Sequence, residues 1–336
     1  MQATDFSKYL TNFLSKYLPH ERGASSNTIS SYRDTFILFI RFMESKKVML
    51  NKLTIGKITK DAIIEFLDWV QNERKNSNAT RNARLAAMHS FFKYIQYHQP
   101  ENLFDFQQIL SIKIKKAASV PMNYLSIEGI SLLLQQPEIH SNRGRRDLAL
   151  LSLMYDTGCR VQELIDLTPA SIRLDKPSTI RVVGKGKKAR IIPLMEAQVK
   201  LLNNYMHEHN LIVEAANMHP LFCNSRQEKL TRAGVNHILT KYATIARSKE
   251  PKLIPQHISC HSLRHSKAMH LLQAGVNLVY IRDILGHVSV QTTEIYARAD
   301  SRKKREAIEK AYVITAPGKI PTWLKNGNLL EWLKSL

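Results

Sequence analysis

The sequence predicts a mainly α-helical protein of two domains, with a small antiparallel β-sheet in the second. Three observations lead there. A chain of 336 residues is longer than one core usually organises. Residues 1–112 place their apolar side chains at helical spacing almost throughout. Ile180 to Leu194 instead has two β-branched arms around Gly184-Lys185-Gly186, the pattern of a β-hairpin. Hydrophobic residues make up 44% of the chain, enough for a core in each domain.

In the first domain, Phe6, Tyr9, Leu10, Phe13, Leu14, Tyr17 and Leu18 share a helix face, and Pro19 and Gly23 are expected to end that helix. Ser25, Ser26 and Asn27 offer N-caps for a second helix from Thr28 to about Lys46. Thr59 caps a third, Lys60 to about Arg74, and a fourth runs from Ala79 to about His98, stopped by Pro100. The result is a bundle of four or five helices. Lys75, Arg81 and Arg84 surround the start of the fourth helix. Basic side chains at a helix N-terminus suit a phosphate backbone. Residues 113–123 are basic, poor in large apolar side chains after Ile114, and contain Pro121; they read as a linker able to follow a polyanion.

The formal net charge is +21, and most of the excess lies after residue 110. A charge that large on a folded protein points to a polyanionic partner, above all nucleic acid. An anionic membrane surface fits less well, because no long helix pairs a basic face with a lipid-facing one. Cys159, Cys223 and Cys260 are far apart and odd in number, which fits a reducing compartment rather than a disulfide framework. No leader segment and no membrane-length apolar run is visible, so a soluble, cytoplasmic protein is expected.

The second domain, residues 124–312, opens with a helix from Leu125-Ser126 through Leu134. Asp147 to Tyr155 is apolar on most sides and therefore buried. Behind it comes Thr157-Gly158-Cys159-Arg160-Val161-Gln162-Glu163-Leu164. Gly158 breaks the helix and Arg160 starts the next. An arginine beside a buried helix is expensive without a partner or a task, and Glu163, three residues on, can brace it. On the hairpin, Lys185, Lys187, Lys188 and Arg190 make a basic tip suited to a duplex groove. The glycines match neither a Walker A loop nor a dinucleotide fingerprint.

The densest chemistry lies between His257 and Arg298. His261-Ser-Leu-Arg264-His265 is followed by an apolar helical run, then Leu285-Gly286-His287, then Tyr296. His261 and Arg264 share a helix face, and Gly286 can end the next helix and turn the chain. If the intervening helices pack, two histidines, an arginine and a tyrosine converge. That set offers donors for a phosphate and a hydroxyl nucleophile, hence phosphoryl transfer onto a tyrosine. His261 and His265 have the spacing of a helical zinc site, but Ser262 stands where a metalloprotease has Glu, and no third ligand follows usefully; no metal is expected. In residues 313–336, past breaks at Pro317-Gly318 and Pro321, Leu329, Trp332, Leu333 and Leu336 form an amphipathic turn pair too short to stand alone, so this tail is expected to dock.

As an ordered set, Thr-Gly-x-Arg-x-x-Glu-Leu, Gly-Lys-Gly-x-Lys-x-Arg-x-x-Pro-Leu, His-x-Leu-Arg-His, Leu-Gly-His and the tyrosine nine residues later resemble the tyrosine recombinases, the Xer-like and phage-integrase enzymes. The resemblance covers nearly all of the second domain; the first is similar to the family's helical core-binding domain in pattern. It implies a C-shaped clamp on DNA, with Arg160, Lys185, His261, Arg264 and His287 catalytic, Glu163 supporting and Tyr296 the nucleophile. Arg160, Arg264 and His287 would hold the phosphate, His261 would accept the tyrosine proton, and Lys185 would protonate the leaving 5′ oxygen. It further implies double-stranded DNA with an inverted-repeat core site, four protomers on two duplexes, a second recombinase in some systems, a Holliday junction, and neither metal nor ATP. The tail would dock on a neighbouring protomer, with docking on its own domain as the alternative. A type IB topoisomerase would share the chemistry, and a regulator that binds without cutting would share the fold. The arm-like first domain and the intact set of six favour the recombinase. Ser266-Lys267, where the family has small and aromatic residues, is a departure that bears on packing.

Overall fold

Side-chain oxygens set where the helices begin. Thr4, Ser25, Thr59 and Ser77 each accept a hydrogen bond from the backbone N–H three residues on. In the computed structural model, which describes residues 4–117, 122–184, 186, 188–299 and 334, these caps start α1 (Asp5–Asn12), α2 (Ser26–Ser45), α3 (Lys60–Asn72) and α4 (Asn78–Ile95). A fifth helix, α5 (Leu103–Leu110), follows the turn at Pro100. Pro19 does not end the first helix as expected. The chain runs on from α1 as a π-helical stretch, Phe13–Glu21, with Pro19 inside it. The wider π turn leaves room for the ring, and proline's missing N–H costs one bond without stopping the helix.

Aromatic packing holds this unit together. Phe6, Phe13, Phe36, Phe39, Phe66, Phe91 and Phe92 are fully buried, and Phe13 meets Phe91 edge-on with ring centres 5.4 Å apart. The same packing corrects one expected phosphate contact, Arg81, and engages a second, Arg84, in the bundle. Arg81 is buried, at 4% exposure, and its Nε and Nη1 have no hydrogen-bond partner among the described residues. It precedes Leu85 and Met88 at i, i+4 and i+7, on the stripe of α4 that faces the core. Arg84 donates through Nη1 to Ser31 O (3.2 Å) and Thr35 Oγ1 (3.0 Å), tying α4 to α2. Of the three, Lys75 is exposed, in a left-handed backbone conformation. The first part of the linker lies on the bundle: Asn82 pairs with both backbone groups of Lys115 (2.7 and 3.0 Å), Asn78 donates to Lys116 O (2.8 Å), and Lys115 Nζ donates to Gln71 (2.6 Å).

The chain divides into two compact units, Met1–Val120 and Pro121–Leu336. The second begins with α6 (Ile127–Leu134) and the buried α7 (Asn142–Thr157), then a short α8 (Val161–Ile165). A three-stranded antiparallel sheet follows in the order β1 (Ile172–Arg173), β2 (Thr179–Val183), β3 (Ala189–Pro193). Ile180 pairs with Ile192 and Val182 with Arg190, so these four share the inward face. Then come α9 (Glu196–Glu208), α10 (Arg232–Lys249), α11 (Cys260–Gln273), α12 (Leu278–Leu285) and α13 (Gln291–Ala299). The mainly helical class with one small antiparallel sheet is therefore as the sequence predicts. No helix among the described residues is long and apolar enough to cross a membrane. The Ser266 departure proves to be a packing device: its hydroxyl accepts from Leu125 N–H at 2.8 Å, joining α11 to the start of the unit. Lys185, Lys187, the basic run after Asp300 and the amphipathic turn pair of the tail lie outside the described residues.

Replacing a buried, partly unpartnered guanidinium by an apolar chain of similar length removes a desolvation cost. Arg81→Met should leave stability within about 1 kcal/mol of the parent, or above it, and leave duplex affinity and its salt slope unchanged. A loss in urea unfolding beyond about 3 kcal/mol, or a shallower salt slope, would contradict this placement.

Candidate active site

Two helix ends build the centre of the site. Helix α7 ends at Gly158 and α12 at Gly286, both in the left-handed conformation (φ 56° and 67°) that favours glycine. The two ends pack closely: a Cβ on Gly158 would lie 2.8 Å from Leu285 Cδ2. Arg264, on the first turns of α11, reaches between them. Its Nη1 donates to Gly158 O at 2.6 Å and its Nη2 to Leu285 O at 2.7 Å. Carbonyls at helix C-termini carry partial negative charge and hold a cation well. Both glycines of the sequence motifs are thus explained as caps that point carbonyls at one guanidinium.

Arg160 stands at the N-cap of α8, its side chain 37% exposed. Glu163 braces it twice, accepting from Arg160 N–H (2.8 Å) and from Nη1 (2.9 Å). Arg190 donates to the other side of the same carboxylate, Nη2 to Oε2 at 2.7 Å, and through Nε to Ile284 O at 2.8 Å. Burial alone would raise the Glu163 carboxyl, but the bonds from Arg190 and Arg160 outweigh it and hold it below its ordinary value. Burial, and then Arg160, lower the Arg264 guanidinium to about 10, so it remains charged at neutral pH. One carboxylate serves two guanidiniums, while the hydrogen bonds of the third, among the described residues, go to carbonyls. The site is short of negative charge.

Tyr296, on α13, is buried at 1% exposure beside this cluster. Its hydroxyl lies 3.1 Å from His265 Nδ1, and its ring stacks on His287 with centres 6.3 Å apart. His287 Nδ1 lies 2.9 Å from the buried Thr293 hydroxyl. With Thr293 donating, His287 Nε2 carries the proton and can itself donate. His261 sits exposed on the first turn of α11, one turn before His265, with ring centres 6.3 Å apart. Burial lowers all three imidazoles below their usual value, helped by Arg264 in each case, and His287 falls to about 4. Burial raises the Tyr296 hydroxyl, against the pull of Arg264 and Arg160.

Residues 123–303 match the phage integrase family, and residues 10–98 match the N-terminal SAM-like domain of phage integrases. The chain belongs to the phage integrase family of tyrosine recombinases. These enzymes break and rejoin DNA at specific sites. The chain is 36% identical to a putative integrase/recombinase of Sinorhizobium fredii over 97% of both chains. It is 30% identical to tyrosine recombinase XerD of Vibrio cholerae over 85% of this chain and 90% of that one. Among solved structures, the pre-cleavage complex of XerH recombinase with its difH substrate matches at a TM-score of 0.65 and 26% identity, covering 89% of this chain and 84% of that one.

Within the recombinase, five of the residues expected from sequence lie together: Arg160, Glu163, Arg264, His287 and Tyr296 are linked by the contacts above, while His261 stands at the exposed edge. Lys188 is exposed on the hairpin, and its carbonyl accepts from Gly184 N–H at 2.8 Å. Two assignments change. Arg190 is not on the basic tip; its side chain is 11% exposed and turned into the site. The neighbour of the tyrosine hydroxyl is His265, not His261. His265 was legible in the sequence, since i and i+4 share a helix face, but the face nearest α13 depends on packing.

Below pH 6.5 an unfolded His287 binds a proton that the folded recombinase refuses until about pH 4. The unfolded state then binds more protons, so stability falls as pH drops through that window. His287→Gln should make the stability–pH slope between 6.5 and 4 shallower than the parent's, measured by urea unfolding across pH. An equal slope would mean that His287 is not held neutral.

Proposed function

We propose that Arg160 and Arg264 hold the scissile phosphate of a DNA duplex while Tyr296 attacks it. The observation that supports this most is a cluster of three guanidiniums, two of which share one carboxylate, beside a tyrosine hydroxyl that is hydrogen-bonded to a neutral histidine. A phosphodiester supplies the missing negative charge, and charge growing on its non-bridging oxygens in the transition state is met by planar donors already in place. His287 donates through Nε2, and His261, exposed at the edge, adds a further donor.

In the step itself the Tyr296 Oη–phosphorus bond forms and the phosphorus–O5′ bond breaks. The hydroxyl proton passes to His265 Nδ1, the atom it already faces; a neutral imidazole can accept it. Lys185, by family resemblance, gives a proton to the leaving 5′ oxygen. The phosphotyrosyl link keeps the energy of the broken bond, so a second 5′ hydroxyl reverses the step and releases the tyrosine. Repeated on two duplexes, this exchanges strands through a Holliday junction. We take the working unit to be four copies on inverted-repeat core sites in the cytoplasm, with a second recombinase as partner where the site is asymmetric.

Tyr296→Phe should bind a nicked duplex normally and form no covalent adduct on a denaturing gel. His265→Ala should slow adduct formation roughly 100-fold at pH 7, the usual reach of general-base catalysis, with duplex affinity kept. His261→Ala should weaken phosphate binding in addition to rate. An adduct that persists in Tyr296→Phe would exclude this nucleophile. A full-rate His265→Ala would return the proton-accepting role to His261.

A further inference from the structure

The sequence places Arg190 toward a duplex from the hairpin, yet among the described residues its hydrogen bonds go to Glu163 and Ile284. Strand alternation puts it beside Ile180, Val182 and Ile192 on the inward face. From there one guanidinium meets three separate pieces of the site. Nη2 donates to Glu163 Oε2 at 2.7 Å, and that carboxylate positions Arg160. Nε donates to Ile284 O at 2.8 Å, in the last turn of α12. The guanidinium also packs under Gly286: a Cβ there would lie 2.9 Å from Nη1 and 3.1 Å from Cζ. The backbone of Gly286 is left-handed (φ 67°), which favours glycine, and the next residue is His287. Gly184, at the root of the turn that carries Lys185, closes the arrangement. A Cβ on it would lie 3.1 Å from Glu163 Oε1 and 3.5 Å from Arg190 Nη1.

We infer that Arg190 is a positioning residue that locks the hairpin to Arg160 and His287, so that these groups move as one body. The inference rests on the recombinase reading above. It assigns Arg190 no contact with DNA. A displaced hairpin would draw Glu163 away from Arg160 and loosen the α12 turn before His287. The lock therefore makes the position of the hairpin a condition for the catalytic alignment of Arg160 and His287 at the other end of the site. Lysine cannot replace it, because one ammonium lacks the forked, planar donors that span a carboxylate and a carbonyl.

The test uses the full chain with Arg190→Lys and Arg190→Gln, in single-turnover cleavage of a nicked duplex. Two substrates are compared, one with an ordinary 5′ oxygen and one with sulfur at that bridging position. Sulfur leaves without a proton, so it rescues loss of the general acid alone. Both variants should keep wild-type duplex affinity and salt slope and lose roughly 10- to 100-fold in rate, the cost of misplaced catalytic groups. The loss should persist on the sulfur substrate, since Arg160 and His287 are displaced as well. In NMR titration His287 should shift in Arg190→Lys even though the charge is kept. A reduced salt slope would place Arg190 on a phosphate and overturn the inference. So would full rescue by sulfur, or wild-type rate in Arg190→Lys. A parent chain that forms no adduct would instead sink the recombinase reading, which separates the two failures.

Discussion

The site depends on an imbalance of charge. Arg160, Arg190 and Arg264 are brought together around Glu163, and two of them share it. Buried guanidiniums without matching carboxylates are costly in a folded protein. Here the cost is limited by helix geometry. Two C-terminal carbonyls, exposed by glycine caps, take both ends of Arg264. Carbonyl dipoles hold the cation in place without neutralising it. The net positive potential survives, and with it the attraction for a phosphodiester.

The same potential sets the protonation of everything nearby. It keeps the histidines neutral near pH 7, reinforcing what burial does to them. A neutral His265 can take a proton from Tyr296, and a neutral His287 can donate from one nitrogen while Thr293 holds the other. It also draws the Tyr296 hydroxyl toward ionisation against the effect of burial. Binding of an anion would relax part of this field, so substrate and proton affinities at the site are coupled. The rigid parts of the scaffold serve that coupling. Ser266 pins α11 to Leu125, and Arg190 pins the sheet to α8 and α12.

Much of this was legible in the sequence, for reasons that differ by residue. The caps at Ser25 and Thr59, the β-hairpin arms and the two glycine breaks are local features, set within a few residues. The convergence of Arg160, Arg264, His287 and Tyr296 came from a resemblance that carries tertiary information. Other assignments failed where a side chain's direction was decided by alternation or by a distant partner. Arg81 and Arg190 are basic and lie near turns, a pattern that by itself suggests surface cations. Helical spacing from Leu85 and Met88, and strand pairing with Val182, assign both to inward faces. His265 was passed over because two histidines one turn apart differ only in which neighbour each meets. Pro19 lies inside a π-helical continuation whose first residue, Phe13, packs on Tyr32 and Tyr94, partners that the local sequence does not contain.

The most direct measurement of the central claim is the titration of His287 by NMR in Tyr296→Phe, the variant expected to bind without cutting. It is followed free, bound to a duplex with an ordinary scissile phosphate, and bound to one with an uncharged methylphosphonate at that position. If the site is built around missing negative charge, the phosphate duplex should raise the His287 pKa well above its free value of about 4. The methylphosphonate duplex should leave it low. Equal shifts with both duplexes would show that the scissile phosphate does not complete this site.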